Sequence, residues 1–258
     1  MVVTVNIGNT NITVGGYTAD RQVFCGRLHA DPRATADEYA LRLRDLLSLY
    51  NHTPAQVEGA ILGSVAPMLT GRVLEALRML CPVRVLTVGP GLKSGLKLRL
   101  DNPAQLGAEL LCGVAAALAE CDGPLVVIHC DTAVSMMAAN ANRELVGGVI
   151  LPGPQVALNS LVQNTARLPQ VDLHGKLPKN VLGTNTEACL ERGVIYGFAG
   201  MIDSLAARFT AELGENTVFY CTGSLPRSIL ECCTTPLRRR ESLVPDGLYL
   251  LWKRNQKG

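Results

Sequence analysis

Two short polar loops interrupt apolar runs in this chain, and both carry residue types suited to holding phosphate. The run Val2–Val5 breaks at Asn6-Ile7-Gly8-Asn9-Thr10, where glycine permits close approach to the backbone and Asn9 and Thr10 add polar side chains. The run Leu125–Ile128 breaks at His129-Cys130-Asp131-Thr132-Ala133 and resumes through Val134–Ala139. Either loop alone reads equally as an ordinary hairpin turn, because Gly and Asn are default turn residues. Together they say more: placing Asn6 on His129 sets Gly8 on Asp131 and Asn9 on Thr132 at an offset of 123 residues, and a pair of such loops could clamp one polyphosphate. A third candidate is Glu109, at the edge of a helical stripe formed by Leu106, Leu110, Val114 and Leu118. Its carboxylate could serve as a general base; the plainer alternative is a solvated helix residue. His129 is a ligand, a base, or a strand-end histidine bonded to backbone.

The elements that must position these groups repeat as well. Each loop joins two strand-like runs, and a polar tip follows in each half, Thr18-Ala19-Asp20-Arg21 and Asn140-Ala141-Asn142-Arg143. A repeat this long indicates two related subdomains rather than a solenoid, taken as residues 1–119 and 120–258. In the first, Thr35 and Glu38 form a capping box ahead of an apolar helical stripe of Tyr39, Leu43, Leu46, Leu47 and Tyr50. A strand at Gly59–Leu62, a helix over Leu69–Leu80 and a strand at Val83–Val88 follow. Gly89-Pro90-Gly91 then forces a sharp loop, and Asn102-Pro103 predicts the start of a helix running to about Ala119. In the second half a β-run lies within Gly147–Gly153, a long helix carrying Gly193 and Gly197 starts near Thr186, a strand covers Thr217–Cys221, and a short helix covers Asp246–Lys253. The pattern is α/β, and two such halves are expected to enclose a cleft suited to a ligand.

Composition narrows the function. The chain has 258 residues, 48 % hydrophobic and 18 % charged, which excludes disordered and fibrous classes. With 24 basic against 22 acidic residues the net charge is +2, so no field gathers nucleic acid or an anionic membrane. The basic cluster Arg238-Arg239-Arg240 reads as a solvated turn. Nine cysteines without a C-x-x-C spacing signal neither a disulfide framework nor a zinc site. No basic n-region precedes Val2 and no apolar run nears 18 residues, so a cytoplasmic protein with reduced thiols is expected.

Taken together the segments resemble the type III pantothenate kinases, which phosphorylate pantothenate with ATP at the start of coenzyme A synthesis. The resemblance spans nearly the whole chain. It rests on Asn6–Asn11, Thr35-Ala36-Asp37-Glu38-Tyr39, Gly63-Ser64-Val65-Ala66-Pro67, Val88–Gly95, Asp101-Asn102-Pro103 with Gly107-Ala108, Gly147–Gly153, Thr165–Pro169, Gly183-Thr184-Asn185-Thr186 and Thr222-Gly223. It implies an actin-like phosphotransferase (ribonuclease H-like) fold, ATP with Mg²⁺ and a monovalent cation, and a dimer whose pantothenate pocket is completed across the interface. By the same resemblance Asn6, Gly8, Asn9, Thr10 and Thr132 are nucleotide-binding, Gly89, Gly91, Gly107 and Thr165 are substrate-binding, Glu109 holds the catalytic-base position, and His129 and Asp131 fall at the cation position.

Departures from the family pattern bear on activity. The first loop of the family begins with Asp, here Asn6, which removes a carboxylate from the nucleotide-associated metal. Its Gly-Ala-Asp-Arg signature is here Gly107-Ala108-Glu109-Leu110, and its Asp-x-Gly-Thr-Ala-Thr-Thr signature is His129-Cys130-Asp131-Thr132-Ala133-Val134-Ser135. Phosphoryl transfer depends on positioning and charge neutralisation; Asp131 adds repulsion, Glu109 displaces an acid by one methylene, and Leu110 lacks a guanidinium. The leading expectation is a non-catalytic or half-site subunit, a pseudoenzyme paired with an intact paralogue in a heteromeric pantothenate kinase. The alternatives are an active pantothenate kinase with a rearranged site, using Glu109 as base and Asp131 toward a metal, and a non-enzymatic regulator that binds pantothenate or a nucleotide.

Overall fold

Five of the six residues of β1 (Val2–Ile7) are Val, Thr or Ile, and the strand is buried along its whole length, as a central strand covered on both faces must be. In the computed structural model of the chain, which describes residues 1–175 and 177–256, it is joined by β2 (Asn11–Thr18), β3 (Arg21–His29), β4 (Gly59–Ser64) and β5 (Val85–Thr87). The sheet order is β3-β2-β1-β4-β5. The first three strands form an antiparallel meander, and β4 and β5 add in parallel. Because side chains alternate along a strand, β1 serves two cores. Val3, Val5 and Ile7 pack with Leu43 and Leu47 of α1 (Ala36–Leu49) and Val73 and Leu77 of α2 (Pro67–Leu80). Val2 packs with Cys112 and Ala115 of α3 (Ala108–Glu120) and with Leu248, Leu251 and Trp252 of α7 (Leu243–Arg254). Asn6 shares the parity of Val2, so it belongs to the α3 side.

The second sheet contains β6 (Lys97–Leu98), β7 (Leu125–Cys130), β8 (Ala133–Ala139), β9 (Glu144–Pro152), β10 (Val218–Gly223) and β11 (Leu237–Arg239), in the order β11-β10-β7-β8-β9-β6. Apart from the added edge strand β6 it repeats the first: β7, β8 and β9 form an antiparallel meander, while β10 and β11 add in parallel. Even the loop tips correspond, with left-handed backbone at Ala19 and Asp20 in one and at Arg143 in the other. Val126, Ile128 and Cys130 pack beneath Ile195, Phe198, Ala199 and Ile202 of α5 (Thr186–Leu213). Helices α4 (Pro154–Gln163) and α6 (Arg227–Cys232) complete this half.

By its contacts the chain divides into two compact units. One comprises residues 1–96, 101–116 and the stretch from Ser242 on; the other comprises 97–100 and 117–241. The sequence reading kept everything after residue 119 in one subdomain, whereas α7 packs its Leu248, Leu251 and Trp252 against Val2 and Ile61 of the first sheet. An amphipathic helix can join whichever sheet offers an open apolar face, which local sequence does not reveal.

Two further expectations need correction. Asn102-Pro103 starts only a 3₁₀ turn, Pro103–Gln105; Leu106 is extended, and the α-helix begins at Ala108. Arg238–Arg240 is not a solvated turn: it overlaps edge strand β11, with Arg238 over the Tyr220 ring and Arg239 and Arg240 paired to Glu241 and Glu120. The Thr35 and Glu38 capping box is present as read. Among the described residues no helix is long and apolar enough to cross a membrane.

Candidate active site

The first candidate site lies at the C-terminal end of β1. Asn6 pairs in register with Thr13 of β2 and Gly63 of β4, and its side chain, on the α3 face, is buried to 7 % exposure. Gly63 lacks the side chain that would stand between β4 and α3: a Cβ there would lie 3.3 Å from Ala108 Cβ, 3.2 Å from Leu248 Cδ2 and 3.7 Å from Asn6 Oδ1. That space admits the start of α3, which brings the Glu109 carboxylate to Asn6, whose Nδ2 donates to Glu109 Oε2 at 3.5 Å. A carboxylate only accepts, so the amide nitrogen is the end that faces it. Asn6 Oδ1 is then left buried with no hydrogen-bond partner in the structure. Such an orphan typically costs about 1–3 kcal/mol, which an incoming donor or cation would recover. Burial first, and then the charge of Glu109, push the Cys112 thiol well above its ordinary range.

The loop after β1 is a tight turn closed by the Gly8 N–H donating to Asn11 O at 2.9 Å. Gly8 is buried, while Asn9 and Thr10 are exposed. The side chains expected at phosphate therefore face solvent. Gly107 immediately precedes α3, and its carbonyl accepts from Leu110 N and Leu111 N at 3.1 Å each. Gly89 and Gly91 occupy the exposed loop after β5, where Gly91 has φ 89°.

The second candidate loop repeats the arrangement in the other unit. His129, at 9 % exposure, pairs with Ser135 of β8 and Thr222 of β10, just as Asn6 pairs with Thr13 and Gly63. The turn closes with Asp131 N–H donating to Ala133 O at 2.9 Å. Asp131 is half-buried and Thr132 exposed. Asp131 is not among the residues with left-handed backbone, so replacing the family's glycine here costs no backbone strain. Two glycines outside the predicted site shape this loop. A Cβ on Gly153 would lie 2.4 Å from Asp131 O, and one on Gly223 would lie 2.0 Å from Cys130 O. Their signal in the sequence is their place at the ends of β9 and β10. Burial pushes the Cys130 thiol up to about 12, with the charges of Cys221 and Asp131 adding to it.

Thr165 makes its hydrogen bonds within its own segment. It follows α4 on the surface, and its hydroxyl donates to Leu161 O at 2.9 Å. Among the described residues no group of three or more His, Cys, Asp and Glu is placed to hold a metal ion. Asn6 Oδ1 is a neutral buried acceptor and brings no charge of its own to this end of β1. None of the nine cysteines, all of them among the described residues, is in a disulfide.

Comparison with known proteins identifies the family of the chain and its fold. A sequence model of the family described as type III pantothenate kinase matches residues 2–208. A type III pantothenate kinase of Exiguobacterium sp. is 35 % identical over 257 residues, covering 100 % of both chains. One of Solibacter usitatus is 34 % identical over 255 residues, 99 % of this chain and 97 % of that one. Among solved structures, the ROK hexokinase of Thermus thermophilus aligns with a TM-score of 0.52 at 13 % identity, covering 100 % of this chain and 99 % of that one. The activator of the 2-hydroxyisocaproyl-CoA dehydratase from Clostridium difficile aligns with a TM-score of 0.50 at 11 % identity over 99 % and 97 %. These structures share the fold, an α/β arrangement of two mixed sheets of the actin-like kinase type. With a family match across most of its length and whole-length relatives above 30 % identity, the chain belongs to the type III pantothenate kinase family.

Proposed function

We propose that this chain is itself an ATP-dependent pantothenate kinase with a rearranged site, in which Glu109 is the general base. The observation that carries this reading is the contact of Asn6 Nδ2 with Glu109 Oε2 at 3.5 Å: the acid has moved out by one methylene, yet a buried amide on the neighbouring strand holds it. Hydrogen bonds of this kind are often long in the absence of substrate. Glu109 accepts the proton of the pantothenate hydroxyl as that oxygen bonds the γ-phosphorus, and the bond to the β-phosphate oxygen breaks to release ADP. The Gly8 turn with Asn9 and Thr10, and Thr132 in the second loop, are assigned to nucleotide phosphates, and Gly89, Gly91 and Gly107 to pantothenate. Mg²⁺ supplies neutralisation of phosphate charge. Whole-length kinship with type III pantothenate kinases supports the reading. Its test is formation of phosphopantothenate from ATP and pantothenate by the purified chain. Glu109→Gln should lower kcat by ~10²–10⁴-fold, and a variant that keeps full activity would remove Glu109 from the role.

A second reading, the half-site subunit of a heteromeric kinase, is favoured by Leu110, which offers no guanidinium to substrate, and by Asp131, which brings a carboxylate to a phosphate loop. On that reading the chain alone is inert, mixing with an intact family member gives activity, and Thr165→Ala raises the pantothenate KM of the mixture.

A further inference from the structure

We infer that Asn6 is a positioning residue matched to Glu109, so that returning Asn6 to the family's Asp impairs this protein instead of restoring it. The inference rests on the reading of Glu109 as base, and on geometry specific to this chain. Asn6 is 93 % buried by its 7 % exposure, its strand parity turns it to α3, and its amide nitrogen meets Glu109 Oε2. Gly63, opposite it in register, has no Cβ to fill the space beside Asn6 Oδ1 and Ala108 at the start of α3. An aspartate in the same place would set a carboxylate oxygen 3.5 Å from the Glu109 carboxylate, where the Asn6 nitrogen now donates. A carboxylate has no hydrogen to donate, so Glu109 would lose the bond that now holds it and meet an acceptor in its place, which pushes it from its position. Shortening Glu109 to aspartate would draw its carboxylate back by one methylene from position 6 and make room there for a second acid. Asn6 and Glu109 are thus one compensated pair, in which the neutral amide both removes repulsion and fixes the carboxylate by donating to it.

The decisive set is wild type, Asn6→Asp, Glu109→Asp and the double variant Asn6→Asp/Glu109→Asp, assayed for pantothenate phosphorylation. Asn6→Asp should lower kcat by ~10-fold or more while KM for pantothenate changes little, since a mis-set base acts on the chemical step. The double variant should recover much of that loss. Unchanged or raised kcat in Asn6→Asp, or effects of the two changes that simply multiply, would overturn the inference. A separate cycle protects it from failure of the kinase reading: Asn6→Ala, Glu109→Ala and their combination, measured by urea unfolding. The pairing predicts that the unfolding constant of the double variant departs from the product of the single effects by at least about twofold. Independence of the two changes sinks the pairing whether or not the chain is active, whereas coupling without any phosphorylation leaves the pairing standing and counts against the base role.

Discussion

Gly63 and Asn6 face one another across β4 and β1, and the empty position of the first decides how closely α3 can bring Glu109 to the second. A Cβ added at Gly63 would sit 3.2–3.3 Å from Leu248 and Ala108, tight enough to displace the start of α3 by a few tenths of an ångström. Gly63→Ala should therefore cost ~1–3 kcal/mol as an overpacked core and lower kcat several-fold more than KM, because small misplacement of a catalytic group is expensive. Urea unfolding together with steady-state kinetics checks this; an undisturbed kcat would show that the approach of α3 does not matter. Glu109 was legible in the sequence as a candidate base, and Asn6 as the head of a loop. Their contact was not, because the two lie 103 residues apart and only the strand parity of one and the late start of α3 bring them together.

Local signals recovered some elements and missed others for identifiable reasons. The Thr35 capping box and the β-branched runs at Val2 and Leu125 are strong local preferences and form as read. Strands β6 and β11 have only two and three residues, too few for any periodicity, and exist because a neighbouring strand offers an unpaired edge. Edge β6 is held by charge. Buried Glu144 of β9 receives Lys97 at 2.8 Å, Arg99 at 3.1 Å and the Asn140 amide at 3.2 Å. The bond from Lys97 foremost, then Arg99 and Asn140, lower its carboxyl to about 2 from the ordinary 4.5. A group depressed in the folded state stabilises above its unfolded pKa and loses that contribution as pH falls through the folded value. Glu144→Gln should therefore unfold more readily than wild type at pH 7, with the difference shrinking from about pH 4.5 and vanishing near pH 2. Urea midpoints across that range read it, and a gap independent of pH would assign the effect to packing.

Helix α7 shows the same dependence on partners outside its own segment. Tyr17 of β2 donates to Asp246 at 2.7 Å, accepts from Gln22 at 2.9 Å and stacks on Tyr249 with ring centroids 4.5 Å apart. Burial, then the bond to Asp246, push its phenol far above the usual range. Tyr17→Phe keeps the stack but loses the bond to a charged acceptor, so a loss of ~1.5–3 kcal/mol is expected. Denaturation of the variant measures it, and a change below about 0.5 kcal/mol would place the anchoring of α7 in its apolar face alone.

Across the whole molecule, the duplicated plan was visible as an offset of two loops, since the five-stranded order shared by both sheets, β6 aside, demands the same strand–turn–strand grammar twice. The assignment of α7 to the first unit was not visible, because an apolar helical stripe does not name its partner. The thiols follow the same division between buried scaffold and surface. Cys130 and Cys221 are buried, with burial as the main cause of pKa values near 12 and 11, and Cys112 is sealed as well, whereas Cys25 and Cys189 are exposed. Native protein should label at Cys25 and Cys189 well before the buried thiols, as mass spectrometry after brief alkylation would record; early modification of Cys130 would mean that the second loop opens.

The competing expectations for the chain turn on whether its own residues perform chemistry. The most direct measurement is a phosphorylation assay with ATP, Mg²⁺ and pantothenate on the purified chain alone, beside its Glu109→Gln variant and beside a mixture with an intact family member. The predicted result is phosphopantothenate from the chain alone, reduced ~10²–10⁴-fold by Glu109→Gln and not dependent on the partner. Product that forms only in the mixture, and is indifferent to Glu109, would contradict a self-sufficient kinase and leave the half-site subunit in its place.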